Sequence, residues 1–144
     1  MTTTTTVTAA AWTVAVAVLL TMGWSADGQI VKTTDVTVTN WLSKGQDLTM
    51  HCKSKEDDLG EQVLHKLGTF SWHFIPNFFG KTLFFCSFSW DGSGGNRYFD
   101  IYVEKRDKDR CTDCKWIVSE VGPCWYNATT AAYDVCYGYK SSLL

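Results

Sequence analysis

Six cysteines follow an uncharged apolar run near the start of this chain, and this arrangement constrains its fold more than any other feature. The run covers residues 9–24, contains no Asp, Glu, Lys or Arg, and is followed by small residues. It is typical of a secretory signal peptide, whereas a membrane-spanning helix needs about 20 apolar residues. Secretion places the cysteines in an oxidising compartment, where an even number in a short chain predicts disulfide bonds.

The end of the signal peptide is predicted from the small residues that signal peptidases require. They place the cleavage between residues 25 and 28, so we assign residues 1–28 to the signal and expect the secreted protein to begin between Ala26 and Gln29. No Lys or Arg precedes the apolar run, so a retained N-terminal anchor is the alternative. Residues 29–144 have the length of one domain.

The charge of this mature part argues against several classes of partner. It carries all 13 Lys and Arg of the chain and 14 Asp and Glu (the 15 of the chain less Asp27), which is a net charge of −1. This balance does not favour nucleic acid or anionic lipid. No amphipathic basic helix is evident, so we expect no stable membrane insertion after signal cleavage.

Alternation of apolar and polar residues predicts β-strands along the mature chain. Residues 82–90 are apolar on both faces, which is typical of a central strand. The predicted strands cover residues 35–40, 48–53, 69–75, 82–90, 98–103, 115–121, 124–127 and 135–139. Turn-forming Gly, Asn and Asp separate them, so we predict an all-β fold, a small disulfide-stabilised antiparallel β-sandwich of seven to eight strands. The expected aromatic core is Phe70, Trp72, Phe74, Phe88 and Trp116.

The sequence shows no complete pattern of a catalytic, metal or cofactor site. Cys111-Thr-Asp-Cys114 could be half a zinc site or a redox pair, but neither the remaining zinc ligands nor a βαβ setting is present. We therefore interpret these cysteines as half-cystines with different partners. The acidic clusters at 56–58 and 107–113 fit solvated loops better than paired catalytic carboxylates or a calcium loop. We expect a protein that is not an enzyme.

Two charged segments are candidates for a recognition surface. The first is a run of six residues of alternating sign, which we predict to be an exposed loop, either a hydrophilic hairpin tip or a contact surface. It consists of Lys105, Arg106, Asp107, Lys108, Asp109 and Arg110. The second consists of Lys55, Glu56, Asp57 and Asp58, whose acidic residues could equally serve to form the turn. Asn127-Ala-Thr129 is a glycosylation sequon, so we expect a glycan on Asn127.

Six short motifs stand in a specific order between residues 36 and 124. They are His51-Cys-Lys-Ser-Lys-Glu-Asp-Asp-Leu-Gly60, Trp72-His-Phe74, Thr82-Leu-Phe-Phe-Cys-Ser-Phe88, Phe99-Asp-Ile-Tyr102, Cys114-Lys-Trp116 and Gly122-Pro-Cys124. In this order and spacing the set resembles the plant self-incompatibility S1 family, the S-protein homologues. The resemblance implies a small secreted two-sheet β-sandwich held by disulfides. Founding members of that family are pistil-secreted ligands that trigger rejection of self pollen, while most relatives have no assigned role.

The resemblance also implies a disulfide pattern, because the four family cysteines correspond to Cys52, Cys86, Cys114 and Cys124. It implies Cys52–Cys124 and Cys86–Cys114 as the core pairs, with Cys111–Cys136 as an accessory pair and no free thiol. The residues alone leave all 15 pairings of six cysteines open.

These observations favour a secreted ligand or interaction protein of this family. We expect a monomer that binds a cell-surface or extracellular protein through its inter-strand loops, with pollen–pistil recognition as one setting. A secreted defence protein acting on membranes and a hydrolase with an unrecognised site are the alternatives. The balanced charge argues against the first, and the missing nucleophile–base set argues against the second.

Overall fold

The computed structural model describes residues 31–141, which form nine strands and one short helix. The strands are β1 (Thr34–Asn40), β2 (Leu48–Lys53), β3 (Asp58–Leu64), β4 (Thr69–Phe74), β5 (Leu83–Ser89), β6 (Arg97–Val103), β7 (Asp113–Val118), β8 (Pro123–Asn127) and β9 (Ala132–Cys136). The helix α1 covers Glu104–Asp107. The predicted signal peptide lies outside the described residues. Within residues 31–141, no helix has the length and apolar character needed to cross a membrane.

The strands form two sheets that enclose one aromatic core. One sheet has the order β4-β1-β7-β8-β9 and the other the order β3-β2-β5-β6. Rings from the two sheets meet between them, as in the contacts of Trp72 with Phe84 and of Phe99 with Trp116. Trp72, Phe88 and Trp116 of the expected core are buried, and Phe70 and Phe74 pack at its edge. The predicted all-β sandwich is therefore confirmed.

The prediction was incomplete in strand count and in strand direction. The structure has nine strands rather than seven or eight, and β1 pairs in parallel with β7 within an otherwise antiparallel arrangement. The central position of β5 is confirmed, since it lies between β2 and β6. The last strand lies at 132–136 instead of 135–139.

The strand that the sequence analysis missed is β3, whose first residues were interpreted only as a turn. Its residues alternate poorly and only Leu64 is buried. An edge strand can have this composition, because it is hydrogen-bonded on one side only and turns much of its surface to water. In its sheet, β3 pairs only with β2. The position of β3 is therefore set by its antiparallel hydrogen bonds to β2 and not by a hydrophobic pattern of its own.

The disulfide pairing implied by the family resemblance is wrong in all three pairs. The structure bonds Cys52 to Cys86, Cys111 to Cys114 and Cys124 to Cys136, and it leaves no cysteine free, as expected. Cys52–Cys86 and Cys124–Cys136 each join residues that lie directly opposite each other on neighbouring strands, the first bond in one sheet and the second in the other. The predicted Cys52–Cys124 bond cannot form, because Cys52 faces the core while Cys124 lies on the outer face of the other sheet.

The interpretation of the Cys111-Thr-Asp-Cys114 segment is also wrong, since its two cysteines bond to each other rather than to different partners. The segment lies where the chain leaves α1 and enters β7. Cys114 is buried at the start of β7 and Cys111 is half-buried next to the aromatic core. The disulfide therefore stabilises the entry of β7 instead of connecting distant segments.

The charged run 105–110 is the third correction. We predicted an exposed loop, but the chain forms α1 and then a turn here, and Asp107 is only 1 % exposed. Arg106 and Arg110 are half-buried, while Lys105, Lys108 and Asp109 face solvent. The run is buried in part because Asp107 pairs with Arg106 and Arg110, and this pairing lowers the free-energy cost of removing the charges from water.

Candidate functional site

One end of the sandwich collects the connections that carry the candidate residues, and we call it the loop end. It consists of the β2–β3 turn (54–57), the β4–β5 loop (75–82) and the β6–β7 connection (104–112). The register explains this arrangement, because the first residue of β1 pairs with the last residue of β4, and β1 enters its sheet beside the start of β7. Asn127 ends β8 at the same end of the sandwich.

The β2–β3 turn is built by the residues of the first family-like motif. The Ser54 hydroxyl accepts hydrogen bonds from the amides of Glu56 and Asp57, and the Asp58 carboxylate accepts one from the Gly60 amide. The His51 ring bonds to the same carboxylate. That bond, helped by the Gly60 amide, lowers the pKa of Asp58 to about 2. Asp58 therefore forms the turn.

Three other residues of the predicted second loop, Lys55, Glu56 and Asp57, stay exposed at the tip of this turn. Their side chains carry one positive and two negative charges, and none of them forms an ion pair in the described residues. They are thus free to contact a ligand, whereas Asp58 is not.

The β4–β5 loop presents two aromatic rings to solvent. Phe78 is 96 % exposed and Phe79 is 77 % exposed, and the two rings pack edge to face at 5.6 Å. The turn beneath them is well defined: the Gly80 amide donates to the Asn77 carbonyl, the Phe79 amide donates to the Asn77 side chain, and Gly80 has φ +70°. This bonding fixes the backbone beneath the two rings, which pack against each other rather than against the core.

A groove of about 440 Å³ lies between this loop and the β2–β3 turn. Its floor is apolar and its rim is charged. The floor consists of Phe74, Ile75, Leu83, Phe84 and Phe85, and Phe79 also lines it. The rim consists of Lys55, Glu56, Asp57 and Lys81. An apolar floor with a few polar groups above it is the usual composition of a ligand site.

The β6–β7 connection contributes packing rather than free charge. The Arg106 guanidinium donates to both oxygens of Asp107, at 2.8 and 2.7 Å, and lies over the rings of Phe99, Trp116 and Tyr137 at 5.2–5.3 Å. Such stacking on aromatic faces is favourable for arginine.

Two further contacts complete this cluster. Arg110 lies 4.2 Å over the Trp125 ring and donates to the Tyr137 hydroxyl. The Asp107 carboxylate also accepts the Val103 amide. In the predicted recognition run, Arg106, Asp107 and Arg110 are therefore part of the packed cluster. Lys105, Lys108 and Asp109 remain exposed and available to a partner.

The sequence analysis missed Phe78 and Phe79, because it interpreted residues 77–80 only as a turn. A signal for them exists in the sequence: two consecutive Phe stand between the turn formers Asn77 and Gly80, where apolar rings have no core to enter. Asn127, the predicted glycan site, is partly exposed, and its side chain accepts the Thr129 amide within the β8–β9 turn. Its glycosylation stays a prediction. Within residues 31–141, no three His, Cys, Asp or Glu side chains are grouped as metal ligands.

Comparison with known proteins identifies the relatives of this chain. A family model described as plant self-incompatibility protein S1 matches residues 35–139. S-protein homolog 3 of Arabidopsis thaliana is 39 % identical over 112 residues, which cover 75 % of this chain and 73 % of that protein. S-protein homolog 5 of the same plant is 46 % identical over 93 residues, covering 65 % of this chain and 70 % of the relative.

A solved structure with the same fold is among those similar to this chain. It is that of an SPH (self-incompatibility protein homologue) protein, from a group described as small, highly stable, secreted proteins from plants. It aligns with a TM-score of 0.52 at 19 % identity and covers 67 % of this chain and 86 % of its own. The resemblance recognised in the motifs between residues 36 and 124 is confirmed by these findings, and this chain belongs to the plant self-incompatibility protein S1 family.

Proposed function

We propose that this protein is a secreted plant ligand that acts by binding a protein on a cell surface or outside the cell, and that the loop end is its binding surface. The observation that carries this proposal is the display of Phe78 and Phe79 on a hydrogen-bonded turn beside an apolar groove. Exposed aromatic pairs of this kind mark interaction sites, since burying each ring contributes about 1.5–3 kcal/mol.

The geometry of the loop end supports protein recognition in two further ways. The turn below the rings is already ordered, so little conformational entropy is lost when a partner binds. The rim carries both signs of charge, which favours a partner with a complementary pattern over a uniformly charged polymer. Aromatic anchors surrounded by a polar rim are the common arrangement of binding hot spots.

Secretion is supported by the cysteine chemistry and by the relatives. Three disulfides in a chain of 144 residues require an oxidising compartment to form and persist. The structurally similar SPH proteins are described as secreted. Because the family is named for self-incompatibility, pollen–pistil recognition is the first setting in which to look for the partner.

The test compares two variants of the secreted protein. In F78S/F79S both exposed rings are removed, and in the control V121S an equally exposed apolar residue, 86 % exposed, is removed from the opposite end of the sandwich. Binding of each labelled protein is measured on protoplasts from pistil, pollen and leaf. We expect F78S/F79S to lose at least about 100-fold in affinity, because hot-spot rings cost about 2 kcal/mol or more each.

The control should bind like the unchanged protein, and both variants should keep its melting temperature. If F78S/F79S binds as tightly as V121S, the loop end is not the binding surface and the proposal fails.

A further inference from the structure

A second cavity at the loop end differs in chemistry from the groove, and we call it the Tyr102 pocket. It has a volume of about 350 Å³ and lies between the start of β1, the β4–β5 loop and the β6–β7 connection. Of the described residues that line the Tyr102 pocket, only Ile75 also lines the groove. Its volume is at the lower end of the range for small-molecule sites, about 300–1,000 Å³, which is room for roughly one or two sugar rings.

The inner wall of the pocket contains a buried hydroxyl without a partner. Tyr102 is 0 % exposed, and its phenolic oxygen makes no hydrogen bond in the described residues. Thr34 also lines the pocket, and its side chain lies close enough to the phenol to lower the pKa of Tyr102. Four other side-chain atoms are buried and unpartnered in the described part of the chain, but none of them lines either cavity. A buried polar group without a partner is costly, so a ligand atom that reaches the hydroxyl after a small movement of the side chains lining the pocket gains a donor.

The Tyr102 hydroxyl is available as a donor at neutral pH. Burial raises the pKa of Tyr102 above its ordinary value of 10.0, and the carboxylates of Glu104 and Asp107 raise it further, although Thr34 opposes them. The negative charge of Asp107 is compensated by Arg106 and that of Glu104 is engaged by the Thr82 amide. The phenol therefore stays protonated and donates rather than accepts.

The outer wall adds two cations, one carboxylate and one hydroxyl. Lys32 and Lys108 both line the pocket, as do Asp109 and Thr112. All four are exposed, and none of the three charged side chains is paired in an ion pair of the described residues. Two ammonium groups and a phenol suit one carboxylate, while Asp109 and Thr112 suit hydroxyl groups.

From this juxtaposition of a buried unpartnered Tyr102 hydroxyl with Lys32, Lys108 and Asp109, we propose that the Tyr102 pocket binds a hydroxylated carboxylate, the chemistry of a uronic acid. The carboxylate accepts from Tyr102 and the lysines, and the neighbouring hydroxyls donate to Asp109. Two sources carry this chemistry, an acidic oligosaccharide and a free hydroxy acid, and the experiment separates them. The proposal does not depend on the protein partner proposed for the groove.

The experiment titrates the mature protein with three probes by calorimetry. They are trigalacturonate, malate and a neutral galactose trisaccharide. We expect one or both of the acidic probes to bind and the neutral sugar not to bind. Binding of trigalacturonate identifies an acidic glycan as the ligand, and binding of malate alone identifies a free hydroxy acid. If neither acidic probe binds below about 10 mM, or the neutral sugar binds equally well, the proposal is overturned.

Matched variants then locate the site. Lys108→Ala removes a lining ammonium, whereas Lys105→Ala removes an exposed lysine of the same connection that does not line the pocket. We expect K108A to weaken binding of the acidic probe about tenfold, the typical value of one charge-assisted hydrogen bond, and K105A to change it less than twofold. Equal affinities of K108A and K105A would place the bound acid elsewhere and overturn the assignment.

Tyr102→Phe tests the buried donor itself. Because the hydroxyl has no partner in the free protein, its removal should leave the melting temperature unchanged or slightly higher, while affinity for the acidic probe falls about tenfold. Unchanged affinity in a folded Y102F would show that the hydroxyl takes no part. F78S/F79S should keep full affinity for the probe, which distinguishes a failure of this proposal from a failure of the groove as a protein-binding surface.

Discussion

Two segments of the loop end place their side chains opposite to what polarity predicts: one buries charged groups and the other exposes aromatic rings. The β6–β7 connection is the most highly charged segment of the chain, yet Asp107 and the stacked face of Arg106 are packed into the protein. The β4–β5 loop carries two of the most apolar side chains, yet both rings face water. Charge is buried where opposite charges and aromatic faces satisfy it, and aromatic surface is exposed at the loop that we propose as the binding surface. The first segment therefore maintains the fold, and the second is free to recognise.

The largest effect is expected from removing the centre of the charged cluster. Asp107→Ala leaves Arg106 and Arg110 half-buried without their counter-ion and the Val103 amide without its acceptor. Breaking a buried pair in this way costs about 3–5 kcal/mol. Chemical denaturation should show this loss, whereas the control Asp109→Ala, at an exposed carboxylate, should stay within about 0.5 kcal/mol of the unchanged protein. A D107A protein of normal stability would mean that the cluster is not structural.

A smaller loss is expected when the charge is kept and only the geometry is changed. Arg106→Lys retains the positive charge but loses the two-point contact with Asp107 and the stacking on three rings. We expect a loss of about 1–2 kcal/mol in denaturation, since a lysine does not replace a stacked, two-point arginine. Lys105→Arg, the reverse exchange at an exposed neighbour, should have no measurable effect. If both exchanges are neutral, charge alone explains the cluster.

A still smaller effect is expected at the β2–β3 turn, and it depends on pH. The pKa of Asp58 is lowered from 3.8 to about 2, so its ionised form stabilises the fold above about pH 4, and this contribution is lost as the pH falls towards 2. Asp58→Asn should lower the melting temperature slightly at pH 7, and the difference from the unchanged protein should shrink between pH 4 and pH 2. Asp57→Asn serves as the control, because its side chain makes no bond in the turn and should give no such pH-dependent difference.

The smallest effect on stability is expected from the exposed rings. Phe78→Ser with Phe79→Ser removes no core contact, because the two rings pack mainly against each other, so the melting temperature should change by less than about 2 °C. Differential scanning calorimetry of this variant beside D107A tests the comparison directly. A large loss of stability in F78S/F79S would show that the rings stabilise the loop and are not reserved for binding a partner.

Much of the fold could be predicted because each segment carries its own pattern. Residues 48–53 alternate strictly, and the observed β2 has those bounds. The strand β3 could not be found this way, because an edge strand is specified by its neighbour's hydrogen bonds and not by an apolar face. The disulfide pairs were wrong for a related reason: spacing along the chain does not say which strands are neighbours or which face a cysteine occupies.

The candidate site could be predicted only in part. The exposed tip 55–57 lies at the loop end, as a charged turn should, and the same motif residues that identified the family, His51, Asp58 and Gly60, prove to build the turn. The charged run was misjudged because a lone charge is rarely buried, while a charge with its counter-ion and three aromatic rings around it can be. Local composition cannot reveal such partners, since Phe99 lies on β6, Trp116 lies on β7 in the other sheet, and Tyr137 follows β9.

The sequence by itself determined most of the strand positions, the aromatic core and the family, because alternation and motif order are local properties of neighbouring residues. Only the tertiary structure decided which cysteines meet, which charges of residues 105–110 are buried, and that three separate connections form one end with a groove and a pocket. These properties depend on contacts between residues far apart in the chain, and the pairing of the strands, not the order of the residues, brings such groups within reach of one another.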